Sequence, residues 1–294
     1  MITKLEMLIA LAKERHFGRA AESLGITQPS LSAGIKQLEE QLGVKLVQRG
    51  SRFGGLTPEG QRALEMARGI VRDTRRLREE MRASRHGLAG QIRLAVIPTA
   101  LTWASSLATR FNAAHPNVGF SIMSRSSTEV LDMIANLEAD AGISYLDNEP
   151  LGRMAVQTLY RERYTLVCHQ AHPLARRASV GWRDLTGLKL CLLSPDMQNR
   201  RIINRNFAEA GLVPEAMIES NSTVVLVSNV AAGEWVTILP TDLAGFLSAG
   251  HPLSVVPLEG GISAHSVGLI APHQEPQTPL LGALFEAGLG LAER

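Results

Sequence analysis

The residues best suited to do chemistry lie between Gly18 and Gln41, GRAAESLGITQPSLSAGIKQLEEQ. Leu31, Ile35, Leu38 and Leu42 recur at helical spacing and predict a buried face. Pro29, Ser32, Ala33 and Lys36 point the other way; they are short or singly charged, so this face can approach another surface closely. Gln28 and Ser30 sit at the start of that helix, where backbone N–H groups attract phosphate. Thr27 or Gln28 can cap it, and Pro29 occupies its first turn, where a missing N–H costs nothing. Gly25 suits the left-handed position just past a preceding helix. Two helices joined by so tight a turn fit two readings equally: an ordinary pair of packed helices, or a helix-turn-helix whose second helix enters the DNA major groove.

Other elements position this pair. Leu5, Leu8, Ile9 and Ala12 share one face and predict a first helix over residues 3–14, ended by His16-Phe17-Gly18. Val44–Val47 reads as a short strand, Gln48–Gly55 as a hairpin tip and Leu56-Thr57 as its return. Arg49 and Arg52 on that tip suit phosphates or the minor groove, making it the wing of a winged helix-turn-helix. Thr57-Pro58-Glu59-Gly60 opens a helix that runs to residue 88. On it Ala63, Met66, Ile70, Thr74, Leu77, Met81, Ser84 and Leu88 form a seam for a second helix, flanked by eight arginines from Arg62 to Arg85. Charge is divided accordingly. Residues 1–86 carry 16 Lys+Arg against 10 Asp+Glu and residues 87–294 carry 14 against 18, so only the head seeks a polyanion.

Several chemistries are set aside. Cys168, His169 and His172 lie close together, but no second ligand pair is spaced to close a tetrahedral metal site. No G-x-S-x-G, P-loop, G-x-G-x-x-G or H-E-x-x-H is present, so neither a cofactor nor an enzymatic reaction is expected. Cys168 and Cys191 sit in apolar runs and read as buried thiols of a reducing cytoplasm. Lys4 and Glu6 interrupt any secretory start and no apolar run reaches transmembrane length, so a cytoplasmic protein without a membrane partner is expected.

In residues 1–60 the ordered block Phe17 with Arg19-Ala20-Ala21, Gln28-Pro29-Ser30-Leu31-Ser32, Ile35-Lys36-Gln37-Leu38-Glu39, Leu42–Arg49 and Leu56–Gly60 resembles the DNA-binding domain of LysR-type transcriptional regulators. The resemblance adds Arg19 to the DNA-binding candidates Gln28, Pro29, Ser30, Ser32, Ala33, Lys36, Arg49 and Arg52. Many members carry longer polar residues where this chain has Ala33 and Gly34, which moves readout toward Gln28, Pro29, Ser32, Lys36 and DNA shape. It also implies that the long helix is a dimerising linker, and a homodimer that pairs into a homotetramer.

From Gln91 onward strands and helices alternate, which predicts parallel sheets with crossover helices. The resemblance implies two α/β lobes, with chain crossings near Leu159–Arg163 and Glu259–His265, and a fold similar to periplasmic solute-binding proteins of type 2. The expected organisation is therefore multidomain: an N-terminal all-α winged helix-turn-helix (residues 1–58), a linker helix (59–88) and a two-lobed α/β effector-binding domain (89–294). Lobe I is 89–161 with 264–294, and lobe II is 162–263. Ligands lie beyond the carboxyl ends of such strands and at domain junctions. The candidates there are Pro98, Thr99, Ala100 and Leu101, then Ser126, Ser127 and Thr128, then Met197, Gln198 and Asn199, with Tyr145 and Thr223 on the walls. Helix starts with free N–H groups and hydroxyls suit a carboxylate effector. Arg200, Arg201 and Arg205 read as a solvated or subunit-contact face. Leu190–Arg205 resembles regulators encoded near formate dehydrogenase genes.

The expected function is a DNA-binding transcriptional regulator modulated by a small molecule. The alternatives are a two-lobed ligand-binding protein or enzyme without regulatory DNA binding, and an architectural DNA binder without a ligand.

Overall fold

The computed structural model describes residues 1–48, 53–147, 150–261 and 265–292. It divides into two compact units, Met1–Leu88 with Ala135–Glu138, and Ala89–Ile134 with Ala139–Arg294.

The first unit opens with α1 (Ile2–Glu14), α2 (Phe17–Ser23), α3 (Gln28–Leu42) and α4 (Pro58–His86). Arg15, at φ 48°, ends α1. His16-Phe17-Gly18 does not merely end α1: His16 caps α2, its Nδ1 accepting the N–H groups of Gly18 at 3.1 Å and Arg19 at 3.3 Å. Thr27 caps α3 by accepting Ser30 N–H, and Gly43, at φ 70°, stops it. Leu31, Ile35 and Leu38 turn inward against Leu5, Leu8, Leu11, Ala20 and Leu46. Leu42, expected in this core, is 43% exposed because α3 outruns the helices that cover it. The expected strand over 44–47 reduces to one antiparallel bridge, Val47 to Leu56. It is held instead by Glu39, whose Oε1 accepts Leu46 N–H at 2.8 Å and Val47 N–H at 3.2 Å.

Two faces of α4 are apolar. Leu64, Ala67 and Val71 join the first unit's core, a face the seam reading missed. Met66, Ile70, Leu77 and Met81 stay exposed, by 68%, 44%, 58% and 55%, and form a stripe for another surface.

The second unit contains β1 (Gly90–Val96), α5 (Leu101–Ala114), β2 (Val118–Ser124), α6 (Ser127–Ala135), β3 (Ala141–Tyr145) and β4 (Met154–Glu162). Then come β5 (Tyr164–His169), β6 (Val180–Gly181), β7 (Lys189–Leu193), α7 (Gln198–Glu209), β8 (Ala216–Ser220) and α8 (Thr223–Ala231). The chain continues through β9 (Trp235–Pro240), α9 (Thr241–Ser248), β10 (Leu253–Glu259), β11 (His265–Pro272) and α10 (Pro279–Ala292). They build a five-stranded sheet, β2-β1-β3-β11-β4, and a six-stranded sheet, β6-β10-β5-β9-β7-β8. The chain passes from the first to the second between Glu162 and Tyr164, and returns between β10 and β11.

Both sheets are mixed, not purely parallel as the alternation predicted. β1 pairs in parallel with β2 and β3, but β11 runs antiparallel to β3 and β4, and β5 antiparallel to β9 and β10. The cause is the double crossing: β11 enters its sheet from the other lobe, not over a covering helix, so nothing imposes the parallel direction.

Candidate functional site

The first candidate site is the outer face of α3. Gln28, Pro29, Ser30, Ser32, Ala33 and Lys36 are all exposed along it. Ser30 is also part of the cap, its Oγ 2.9 Å from Thr27 Oγ1. Lys36 makes only a long i,i+4 pair, 3.8 Å, with exposed Glu40, so its charge stays available to a phosphate. Arg19 is exposed but tied back, donating to Glu14 O at 2.7 Å and lying 3.6 Å from its carboxylate. Gly34 belongs to the opposite face: it is buried, and a Cβ there would overlap Met7 Sδ. A longer residue at 34 would enter the core, so of the two small residues only Ala33 bears on readout. Arg49 and Arg52 lie outside the described residues.

Glu39 couples this helix to the wing. Burial pushes its carboxyl up, and the Leu46 N–H, Lys45 and the Val47 N–H more than offset that, leaving it below the usual carboxylate range.

The second candidate site lies between the two sheets, at the carboxyl ends of β1, β2 and β8. A hollow of about 500 Å³ there is lined by Pro98, Leu101, Ser126, Met197 and Thr223, all expected, and also by Arg125, Glu129 and Val224. Behind these, Thr99, Ala100, Ser127, Tyr145, Gln198 and Asn199 are buried. Thr128 is exposed and does not line the hollow, because the first turn of α6 rotates it outward. The lobes meet where Arg201 Nη2 donates to Ser127 Oγ at 3.5 Å; within α7, Arg201 Nε donates to Gln198 Oε1 at 2.5 Å.

Two features change the electrostatics expected from sequence. Glu129 Oε2 accepts both the N–H and the hydroxyl of Ser126, each at 2.9 Å, so the start of α6 already holds a carboxylate. Arg200 is not solvated: 6% exposed, it donates to Leu193 O at 2.9 Å and to Glu219 at 2.8 Å.

The third feature was missed altogether. Glu162, 1% exposed, stands where the chain crosses between sheets. Its Oε1 accepts the hydroxyls of Tyr145 at 2.6 Å and Tyr164 at 2.5 Å, while Oε2 has Tyr160 at 3.5 Å. Thr99 Oγ1 lies 3.5 Å from the Tyr145 hydroxyl. Burial pushes the Glu162 carboxyl above its usual range, against the tyrosine hydroxyls, Thr99 and Asn199, which favour the charged form. The signal was in the sequence: Tyr160-Arg161-Glu162-Arg163-Tyr164 alternates, and extended chain puts its first, third and fifth residues on one side. Beside it Trp103 stacks on Tyr160, centroids 4.5 Å apart, and its Nε1 donates to Asp242 at 3.3 Å.

The thiols lie elsewhere. Cys168 on β5 packs with Leu190 and Leu192, and Cys191 on β7 with Val167 and Leu193, on opposite faces of one sheet. Burial pushes each up to about 11. His172 caps a short turn through Nδ1, which accepts Leu174 N–H at 3.2 Å. Among the described residues no helix is long and apolar enough to cross a membrane.

Residues 2–61 match the family model described as bacterial regulatory helix-turn-helix protein, lysR family, and residues 85–290 match the LysR substrate binding domain. The hydrogen peroxide-inducible genes activator of Dickeya chrysanthemi is 31% identical over 241 residues, 82% of this chain and 79% of that protein. The DNA-binding transcriptional dual regulator OxyR of Escherichia coli K12 is 30% identical over 240 residues, 81% and 78% of the two chains. A full-length OxyR variant from Pseudomonas aeruginosa, carrying one cysteine-to-aspartate substitution, superposes with a TM-score of 0.73 at 24% identity, over 98% of this chain and 94% of that one. Full-length CbnR complexed with its target DNA gives a TM-score of 0.63 at 20% identity, over 99% of each chain.

Proposed function

The chain belongs to the LysR family of DNA-binding transcriptional regulators, and from that premise we propose how its parts divide the work. Residues 1–58 bind operator DNA, residues 59–88 pair two copies, and residues 89–294 sense a small molecule. Lobe I (89–161 and 264–294) and lobe II (162–263) close on it.

On the DNA side, α3 enters the major groove. Gln28 reaches base edges, Pro29, Ser32 and Ala33 allow close approach, and Ser30 and Lys36 meet phosphates. Arg19 holds the backbone beside α2, and Arg49 and Arg52 do so from the wing. The exposed stripe Met66, Ile70, Leu77 and Met81 supports pairing of two α4 helices, which gives the two-fold symmetry that paired half-sites require. Two such dimers form a homotetramer that works in the cytoplasm.

On the sensing side, the effector is a small carboxylate held by Pro98, Thr99, Ala100, Leu101, Ser126, Ser127, Thr128, Tyr145, Met197, Gln198, Asn199 and Thr223. Exposed Thr128 acts from the rim. The observation that carries this half is the hollow of about 500 Å³ between the lobes, in the size range of small-molecule sites. Two curated relatives are named as activators of hydrogen peroxide-inducible genes or as OxyR. This chain's thiols, buried on opposite sheet faces and pushed up to about 11, are almost wholly protonated at neutral pH, which supports a bound molecule and not thiol oxidation as the signal.

The test is an anisotropy titration of full-length protein against the DNA upstream of its own gene, with and without candidate metabolites. Specific binding that one metabolite shifts supports the proposal. Equal binding to random DNA, unmoved by any metabolite, defeats it.

A further inference from the structure

Glu162 is 1% exposed, and the side chains that favour its charged form, Tyr145, Tyr164, Thr99 and Asn199, are all uncharged. A buried carboxylate is costly without a partner of opposite charge. Two tyrosine hydroxyls occupy Oε1 at short range, whereas Oε2 has the long 3.5 Å contact with Tyr160. Asn199, 2% exposed on the opposite lobe, stands close enough to favour the charged carboxylate. Its amide N–H side faces that carboxylate, whereas its Oδ1 has no hydrogen-bond partner among the described residues. Buried polar atoms of a native fold are satisfied as a rule, so this oxygen points to a ligand. The groups facing this spot supply no cation to Glu162. They are Tyr145 on β3, Tyr160 on β4, Tyr164 on β5, Asp242 on α9 and His265 on β11, whose protonation burial opposes. Arg205 opposes that protonation as well.

The other end of the cleft sets two guanidinium groups against one carboxylate, Glu129, whose Oε2 is already occupied by Ser126. Arg125 lines the hollow, and Arg201 reaches across to Ser127. A plain carboxylate seated at Thr99 would set a second anion beside Glu162, and a plain amine would leave the arginine end unmatched.

We propose that the effector is an amino acid or a related zwitterion, its ammonium group donating to Glu162 Oε2 and Asn199 Oδ1 and its carboxylate held at the Arg125 and Arg201 end. This rests on the interlobe cleft being the sensor, and it reassigns the inner half of that cleft from anion to cation. An ammonium brings three donors, matching the two acceptors with one left for the Thr99 hydroxyl. Glu162 thereby sets specificity by the charge it rejects as much as by the one it accepts.

The experiment is calorimetric titration of the full-length protein with the common amino acids and 4-aminobutyrate, then of each binder's deaminated acid and decarboxylated amine. At least one amino acid should bind, its deaminated acid should bind roughly 100-fold more weakly, and Glu162→Gln should weaken the amino acid by about 30-fold. Asn199→Ala gives a second readout should Glu162→Gln fail to fold: the amino acid weakens and the deaminated acid does not. Binding of no amino acid, or a deaminated acid within about threefold of its parent, overturns the proposal. Val224→Trp, which fills the hollow from its exposed rim, separates the two claims. If a deaminated acid binds as tightly as its parent and Val224→Trp blocks both, the zwitterion falls and the cleft stands. If Val224→Trp leaves every binder untouched, the cleft itself is the wrong site.

Discussion

Arg201 on α7 donates to Ser127 at the start of α6 at 3.5 Å, so a side chain of one lobe is bonded to the other across the cleft. A contact that exists only when the lobes are close makes closure sensitive to whatever sits beneath it. A ligand can move that equilibrium only by its differential affinity for the two states. Arg201→Gln should therefore raise the effector concentration for half-response roughly tenfold, a coupling of about 1.4 kcal/mol, and leave basal operator affinity unchanged. An unchanged half-response in the anisotropy titration would show that Arg201 takes no part in closure.

Glu39 ties recognition helix to wing, and its carboxyl is held below the usual range. For a carboxyl depressed in the folded state, the stabilisation is full above the unfolded pKa of about 4.3 and is lost as pH falls through the folded value. Glu39→Gln should cost about 1–3 kcal/mol at pH 7 and flatten the loss of stability of the first unit on acidification. Thermal unfolding at pH 7 and pH 4 reads both. A variant as acid-sensitive as the parent would remove Glu39 as the source.

Gln28 stands exposed at the first position of α3, ahead of Pro29. Gln28→Ala should lose about 1–3 kcal/mol on the cognate site alone. Lys36→Ala should weaken all DNA binding and lower the salt slope by about one unit. Equal losses on cognate and random DNA would reassign Gln28 to a phosphate.

The stripe on α4 predicts assembly. Ile70, 44% exposed in the single chain, would be covered in a helix pair. Ile70→Asp would then bury an unpaired charge at a cost of several kcal/mol, and the protein should sediment as a smaller species. Sedimentation like the parent, with intact binding to a two-half-site operator, would place the dimer contact elsewhere.

Much of this was legible because local chemistry governed it. Thr27 and Pro29 mark the start of α3 by side-chain type alone, and Gly25, at φ 65°, takes the left-handed position just past α2. What escaped depends on distant partners. Val47 meets its wing partner at a single bridge, and Leu64, Ala67 and Val71 are buried by helices far off in the chain. Helix α9 (Thr241–Ser248) follows Pro240 without a break, so no turn residue marks it off from the strand before it. In the cleft, the helix starts were readable as such. Glu129 filling one of them, and Glu162 standing beside Thr99, were not, because both arrive by folding. The alternation around Glu162 was visible, but only the crossing between sheets turns it into a site.

The central claim is that occupation of the cleft changes operator binding, and one comparison tests it most directly. Operator affinity is measured across a titration with a cleft ligand for the parent and for Thr99→Val with Ser127→Ala, which removes both hydroxyls from the buried wall and keeps its shape. The account predicts that ligand shifts the parent's operator affinity at least about tenfold, and that the variant keeps basal affinity but needs far more ligand. If the variant responds at the parent's ligand concentrations, the cleft is not the sensor.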